Sequence, residues 1–266
     1  MQHRSTVLFA CLGLLAAALA PARAAAPDEL AAAVAAPSRT PRLVARDVVR
    51  HPAEELAFLG LRPDAHVIEI WPGGGYWTEI LASYLAPHGA LAVALMPADG
   101  GNEAAKFRTR FGSRPGFAAV AVSMLDRTRT VIAPPGSADV VLTFRNVHNW
   151  MADGYASEAF SGFYAALKPG GILGVEEHRG LDTVPQDPQA ANGYVRQDYV
   201  IALAVKAGFE LVGSSELLAN PRDTKDYEKG VWTLPPEFTL KQVDRARYAA
   251  IGEADNMLLR FRKPLP

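Results

Sequence analysis

Three consecutive glycines between a predicted strand and a predicted helix constrain this chain more than any other feature. The stretch VIEIWPGGGYWTEILASYL (67–85) begins with a continuous apolar segment, which is typical of a buried strand in a parallel sheet. Beyond the glycines, Ile80, Leu81 and Tyr84 recur with helical spacing. A glycine turn at the carboxyl end of a parallel strand lets backbone approach a ligand closely, and the next helix offers free N–H groups. The stretch therefore predicts a binding site for a nucleoside-bearing cofactor.

Strands and helices alternate along the rest of the chain. Apolar segments predict seven strands, at residues 66–70, 90–95, 117–122, 138–144, 172–176, 209–214 and 257–262. The last strand runs antiparallel if it pairs with its predecessor without a crossover helix. The predicted fold is α/β, with a doubly wound, mostly parallel seven-stranded sheet and an antiparallel C-terminal strand.

The charge balance excludes two classes of partner. The 266 residues are 49% apolar and carry a formal net charge of −1, as expected of one globular domain. Such a balance gives no electrostatic footprint for a nucleic acid or an acidic membrane surface. We predict a small-molecule substrate and no nucleic-acid partner.

The N-terminus has the pattern of a secretory signal. A basic start precedes an apolar run at 6–20, and small residues suit cleavage after Ala24 or Ala26. A retained single-span anchor and lipidation at Cys11 are the alternatives. Cys11 is the only cysteine, so a cleaved chain has no thiol nucleophile or disulfide. We predict a periplasmic or secreted protein without stable membrane insertion, divided into a signal peptide (1–26), a linker (27–41) and one domain (42–266).

The glycine turn departs from the dinucleotide-binding pattern. Gly73 and Gly75 are followed by Thr78, where the pattern G-x-G-x-x-G requires a third glycine. A nicotinamide oxidoreductase is therefore the weaker interpretation.

The same turn resembles the first motif of the S-adenosylmethionine-dependent methyltransferases of the seven-stranded Rossmann-like class. Their acid-x-G-x-G-x-G pattern is matched by EIWPGGG (69–75), with Trp71 where the first glycine normally stands. The segment 139–150 stands in the place of the fourth motif, and LKPGG (167–171) precedes the fifth strand. The chain resembles an exported subfamily of this class over residues 42–264.

The resemblance implies S-adenosyl-L-methionine as the cofactor. It places Gly73, Gly74 and Gly75 beside the methionine part, next to Trp71, and Glu69 near the ammonium group. It also implies an acid for the ribose after the second strand and one near the adenine after the third. Asp99 and Asp126 are the candidates for these two roles, and the alternative is that both are solvated loop acids.

Polar side chains cluster after the fourth and fifth predicted strands. FRNVHNW (144–150) follows the fourth strand, and EEHR (176–179) follows the fifth. Ligands bind outside the carboxyl ends of strands in such sheets, and methyl transfer needs a positioned acceptor and a base. The predicted catalytic residues are His148 as base, His178 as the next candidate, Glu177 as the orienting carboxylate, and Asn146. Hydrogen bonding to a strand end is the structural alternative for both histidines.

A metal site is a further alternative at this cluster, because two histidines and a carboxylate suit a divalent ion. We predict no metal, since the ligands lack a short spacing signature and Arg145 and Arg179 would repel a cation. Arg50, on the helix before the first strand, is a candidate for binding a carboxylate, and the favoured alternative is that it lies on a solvated helix face. The polar segment 220–227, together with Trp232, is predicted to form a substrate lid.

The sequence predicts a methyltransferase for an unidentified small-molecule acceptor. A non-catalytic protein that binds a nucleoside-type ligand on the same scaffold is the alternative, which the tryptophan at 71 and the absence of an acid directly after the second strand favour. The cluster of Asn146, His148 and Glu177 favours the enzyme.

Overall fold

The computed structural model describes residues 27–97, 100–114 and 116–266. The strands are β1 (His66–Ile70), β2 (Ala90–Leu95), β3 (Ala121–Met124), β4 (Ala138–Phe144), β5 (Leu167–His178), β6 (Glu210–Ser215) and β7 (Asn256–Arg262). The helices before β2 are α1 (Pro27–Val34), α2 (Pro41–Val44), α3 (Asp47–Arg50), α4 (Pro52–Phe58) and α5 (Tyr76–Leu85). Those after it are α6 (Glu103–Phe111), α7 (Val147–Ala152), α8 (Ala156–Ala166), α9 (Gln197–Ala207) and α10 (Arg245–Ile251), with a 3-10 turn at Gly230–Thr233.

The strands form one seven-stranded sheet in the order β3-β2-β1-β4-β5-β7-β6. The pairs among β1 to β5 are parallel, and β7 lies between β5 and β6 and runs antiparallel to both. This confirms the predicted doubly wound α/β sheet, including its antiparallel C-terminal strand. The carboxyl ends of β1, β4 and β5 consequently lie side by side at one edge of the sheet.

Both faces of the sheet are covered. Val141 on one face packs with Phe160 and Phe163 of α8, whereas Val140 on the other packs with Ile80 of α5. All five side chains are at most 3% exposed. Burial on both faces is the reason that the strand sequences show continuous apolar runs.

Four strands differ from their predicted bounds, β6 and β7 by no more than one residue at either end. β3 begins at Ala121 rather than at residue 117, because Phe117 lies in a turn and stacks on Phe111 at a ring-centroid distance of 5.1 Å. β5 extends from Leu167 to His178, past both ends of the predicted strand, because β7 pairs with it as far as His178.

The segment predicted as a linker (27–41) packs on the domain. Leu30 and Ala33 of α1 lie three residues apart and are buried against the cluster that contains Ile80. Thr40 donates hydrogen bonds to Glu79 from its backbone N–H and its hydroxyl, at 2.7 and 2.6 Å. The predicted signal peptide, residues 1–26, lies outside the described residues. Across the ranges that the structure describes, no helix has the length and apolar character to cross a membrane.

Candidate active site

The turn after β1 has left-handed backbone conformations, including one at Trp71, which is not a glycine. Trp71 has a φ of 48°, Gly73 has 53° and Gly75 has 79°, all in the left-handed region. The Trp71 indole Nε1 donates a hydrogen bond to the carbonyl of Leu125 at 3.1 Å. Trp71 therefore retains the bent turn while its side chain ties that turn to the end of β3.

A cavity of about 440 Å³ opens at the carboxyl ends of β1, β4 and β5. We call it the strand-end cavity. Of the predicted site residues, it is lined by Glu69, Trp71, Gly73, Gly74, Asn146, His148 and His178. Arginines of the α2–α3 region and the segment around Trp232 complete its wall. The topology thus brings the glycine turn and the histidine cluster together.

Glu69 is a buried acid at the end of this cavity that lies under the glycine turn. Glu69 is 1% exposed, and burial raises the pKa of its carboxyl group to about 8. The Oε2 atom has no hydrogen-bond partner among the residues that the structure describes. Glu69 is therefore protonated at neutral pH and has an oxygen available for a ligand.

We expect Glu69→Gln to weaken the pH dependence of stability. An unfolded chain loses the Glu69 proton near pH 4.5, whereas the folded chain keeps it to about pH 8. The contribution of Glu69 to the free energy of unfolding is therefore complete below pH 4.5 and is lost as the pH rises towards 8, by on the order of 4 kcal/mol. Urea unfolding at pH 5 and pH 8 measures it: the variant should lose less stability between these pH values than the wild type. Equal losses would show that Glu69 titrates normally.

His148 and Glu177 form a buried pair between neighbouring strands. His148 lies in the first turn of α7, shortly after the end of β4, and Glu177 lies on β5, which pairs with β4. The His148 Nδ1 atom lies 2.9 Å from Glu177 Oε1, and the His148 backbone N–H donates to Oε2 at 3.2 Å. Burial acts to raise the pKa of Glu177, but the attraction of His148 holds it below its ordinary value. An ionised carboxylate only accepts hydrogen bonds, so Nδ1 carries a proton, and Nε2 is the ring atom left to bind a further proton.

His178 stands next to this pair as a neutral imidazole. Its ring centroid lies 5.5 Å from that of His148, and burial lowers its pKa to about 3. The Nδ1 atom lies 2.7 Å from Oδ1 of Asn256, whose amide donates to Glu176 at 3.1 Å. Because the Asn256 oxygen accepts, His178 also keeps its proton on Nδ1 and has an acceptor at Nε2.

Asn146 joins the ends of two strands. Its amide nitrogen donates to the carbonyl of Ile70 at 3.0 Å and lies 3.3 Å from the Thr143 hydroxyl. Asn146 therefore holds the end of β1 against the end of β4, at the wall of the strand-end cavity.

Comparison with known proteins gives matches at the level of structure only. No family model matches the chain, and neither does any curated protein. Among solved structures, a SAM-dependent methyltransferase from Aquifex aeolicus is 16% identical with a TM-score of 0.52, over 72% of this chain and 92% of that one. A putative sarcosine dimethylglycine methyltransferase from Galdieria sulphuraria is 14% identical with a TM-score of 0.54, over 84% and 88%. The [4+2]-cyclase SpnF is 16% identical with a TM-score of 0.55, over 90% and 93%.

The fold is that of the Rossmann-like methyltransferases. The strand order and the antiparallel β7 are those that the sequence resemblance implies. One of the three neighbours is named as a cyclase, so the reaction has to be argued from the site rather than from the fold.

Three residues predicted to bind the cofactor lie apart from the strand-end cavity or outside the description. Asp126 lies in a local turn, where it accepts a hydrogen bond from the Thr128 backbone at 2.7 Å and pairs with Arg129 at 2.5 Å. Gly75 is the N-cap residue of α5, and a Cβ there would collide with the ring of Phe111. Asp99 lies outside the described residues. Among the described residues at the carboxyl ends of β2 and β3, none lines the strand-end cavity.

The three residues that could bind a metal ion lie close together. One ligand atom from each of His148, Glu177 and His178 lies within 4.8 Å of the others. Both Glu177 oxygens already accept hydrogen bonds, including one from the His178 backbone at 2.8 Å. The absence of a metal stays a prediction.

The segment predicted as a lid (220–227) is hydrogen-bonded to the domain, and none of its residues lines the strand-end cavity. The Asn220 amide donates to the carbonyls of Ile251 and Glu253 at 2.9 and 2.7 Å, and Asp223 accepts from the Tyr194 hydroxyl at 3.0 Å. Farther along the chain, the Trp232 ring lies edge-on to His148 at 5.9 Å and lines the cavity.

Glu253 is the principal lining residue that the sequence did not indicate. It follows α10, a helix that was not predicted, and it pairs with Arg46 at 2.7 Å and Arg145 at 3.2 Å. The pairs join residues more than 100 positions apart, so no local pattern reveals them.

Proposed function

We propose that this chain is an S-adenosylmethionine-dependent methyltransferase that acts on a small-molecule acceptor. The observation that carries the proposal is the strand-end cavity itself, which is lined both by the glycine turn and by His148 of the His148–Glu177 pair. A glycine turn that only packed a strand on a helix would not require this oriented base beside it. The three neighbours with a TM-score above 0.5 support the fold of such an enzyme.

The residues at the turn fit the amino-acid part of S-adenosylmethionine. Gly74 has no described atom within 4 Å of the place that a Cβ would take, and Gly73 has only one, at 4.0 Å. The unpartnered Oε2 of Glu69 is available to the ammonium group. Trp71 lines the same cavity and would contact the bound cofactor. When bound, S-adenosylmethionine supplies a methyl group on a positively charged sulfur.

The acceptor side has a base with a fixed tautomer. His148 takes the acceptor's proton at Nε2, while Glu177 holds Nδ1–H and stabilises the imidazolium that forms. His178 accepts a second hydrogen bond from the acceptor at its own Nε2, because its pKa of about 3 keeps it neutral. Asn146 acts by positioning, since it fixes the ends of β1 and β4. The ring of Trp232, which lines the cavity, limits the space for the acceptor.

Calorimetric titration tests the binding part of the proposal. We expect S-adenosylmethionine and S-adenosylhomocysteine to bind the purified chain, and NADH not to bind, because the third glycine of the dinucleotide pattern is absent. Binding of NADH alone would contradict the proposal and favour an oxidoreductase.

We also propose that residues 1–26 direct export and are removed. The basic start, apolar run and small residues support this. The intact mass of soluble protein from a secreting host tests it: a mass that still includes Met1 would contradict cleavage.

A further inference from the structure

We propose that the methyl acceptor is an organic acid whose carboxylate or phosphate group binds Arg50. The proposal rests on the proposed function and names the class of its acceptor. It starts from an arginine whose charge is buried in the wall of the strand-end cavity.

Arg50 has an unused pair of hydrogen-bond donors. In Arg46, Nε and Nη2 bind the two oxygens of Glu253 at 2.9 and 2.7 Å. Arg179 binds Asp255 with the same two atoms, at 3.0 and 2.8 Å. In Arg50, which is 3% exposed, these two atoms have no hydrogen-bond partner in the described part of the chain. This edge of a guanidinium matches the two oxygens of a carboxylate or phosphate.

The nearest acid does not neutralise Arg50. Glu253 lies 3.8 Å from Arg50 Nε, beyond hydrogen-bond distance. Its two oxygens already accept hydrogen bonds from Arg46 and from Arg145, the latter at 3.2 Å. Three guanidinium groups therefore share one carboxylate, which leaves positive charge at the wall.

The other acids around the cavity do not cancel this charge. Glu69 is protonated at neutral pH, because burial raises its pKa to about 8. Burial raises the pKa of Glu176 to about 7, so at neutral pH it is only partly ionised, and that charge faces Arg145 at 3.6 Å rather than Arg50. Glu237 is exposed at the rim, and Glu177 is engaged with His148. An anionic ligand offsets the cost of burying an unpaired guanidinium.

The position of Arg50 is fixed before any ligand binds. Its guanidinium lies 4.6 Å from the ring centroid of Tyr76, whose hydroxyl donates to Asp47 at 2.7 Å. The glycine turn and the start of α5 supply backbone N–H groups for the carboxylate of S-adenosylmethionine. Arg50 is thereby left for the anion of the acceptor.

The test compares acids with their neutral analogues, with and without S-adenosylhomocysteine. The probes are 4-hydroxybenzoate against 4-hydroxybenzamide, 3-(4-hydroxyphenyl)propionate against its amide, and phenyl phosphate against phenol. Calorimetry should show that at least one acid binds the wild type about 10- to 100-fold more tightly than its partner. Arg50→Gln should abolish this preference, and Arg50→Lys should reduce it, because lysine keeps the charge without the paired donors. The control Arg62→Gln, at an exposed ion pair with Asp64, should retain it.

Each other outcome contradicts the proposal or separates it from the proposed function. Equal binding of acid and neutral analogue in all three pairs would overturn it, as would a preference that survives in Arg50→Gln. If Arg50→Gln weakens S-adenosylhomocysteine but not 5′-methylthioadenosine, which lacks the carboxylate, Arg50 binds the cofactor and the proposal is wrong. If the wild type binds no S-adenosylhomocysteine, the proposed function fails. In that case the comparison of acids with neutral analogues, made without S-adenosylhomocysteine, still tests whether Arg50 binds an anion.

Discussion

Replacing His148 with alanine is expected to lower the methyl-transfer rate by about 10²- to 10⁴-fold, the usual contribution of a general base. The variant removes Nε2, the proposed proton acceptor, together with Nδ1, through which Glu177 orients the ring. The affinity for S-adenosylhomocysteine should remain nearly unchanged, because Glu69 and the glycine turn lie on the other part of the cavity wall. Steady-state kinetics and calorimetry on the same preparation measure the two quantities.

Two further variants separate the loss of a base from the loss of structure. His148→Asn keeps a side-chain donor for Glu177 but has no counterpart to Nε2, so its rate should fall as far as that of the alanine variant. His88→Ala, at an exposed turn after α5, is the control and should keep full activity. Rates within about threefold of wild type in both His148 variants would assign His148 a structural role and make His178 the leading candidate.

Gly74→Val is expected to weaken S-adenosylhomocysteine binding by at least about 10-fold, the effect of overfilling a packed site. Gly74 lines the cavity, its φ is not in the left-handed region, and a Cβ there meets no described atom within 4 Å. Valine is therefore compatible with the backbone but occupies space that the ligand needs. Calorimetry measures the affinity, and thermal unfolding checks that the fold is retained.

The neighbouring glycines are less suitable for this test. Gly75 has a φ of 79° and faces the Phe111 ring, so valine there would disturb α6 as well as the turn. Ala118→Val adds the same side chain at an exposed turn and is the control, with unchanged affinity expected. Wild-type affinity in a folded Gly74→Val protein would place the cofactor elsewhere.

The central strands could be predicted from the sequence because their burial produces continuous runs of apolar residues. β1, β2 and β4 have the predicted bounds, since each is apolar on both faces and ends at a turn. The meeting of His148 with Glu177 was also foreseeable, because it requires only that β4 and β5 be neighbours. These features depend on contacts within one strand or between adjacent strands.

The arginine cluster depends on contacts that local pattern does not encode. Arg46 binds Glu253, which is 207 positions away in the sequence. Glu253 follows α10, a helix of seven residues whose apolar pattern is too short to predict it from the sequence. The segment 27–41 was interpreted as a linker because it is rich in alanine and proline, and its role appears only when Leu30 packs on the domain. Asp126 is a candidate for binding adenine by its place after the third strand, but its carboxylate accepts hydrogen bonds from Thr128 and Arg129 within its own turn.

The most direct test of the proposed function follows the methyl group itself. The chain is incubated with S-adenosylmethionine that carries a trideuterated methyl group and with a library of hydroxylated and amino acids, and the products are analysed by mass spectrometry. The account predicts that at least one acid gains the labelled methyl group in step with S-adenosylhomocysteine release, and that His148→Ala nearly abolishes both. Tight binding of S-adenosylhomocysteine with no labelled product from any acid or neutral analogue would contradict it and would indicate a non-catalytic binding protein on a methyltransferase fold.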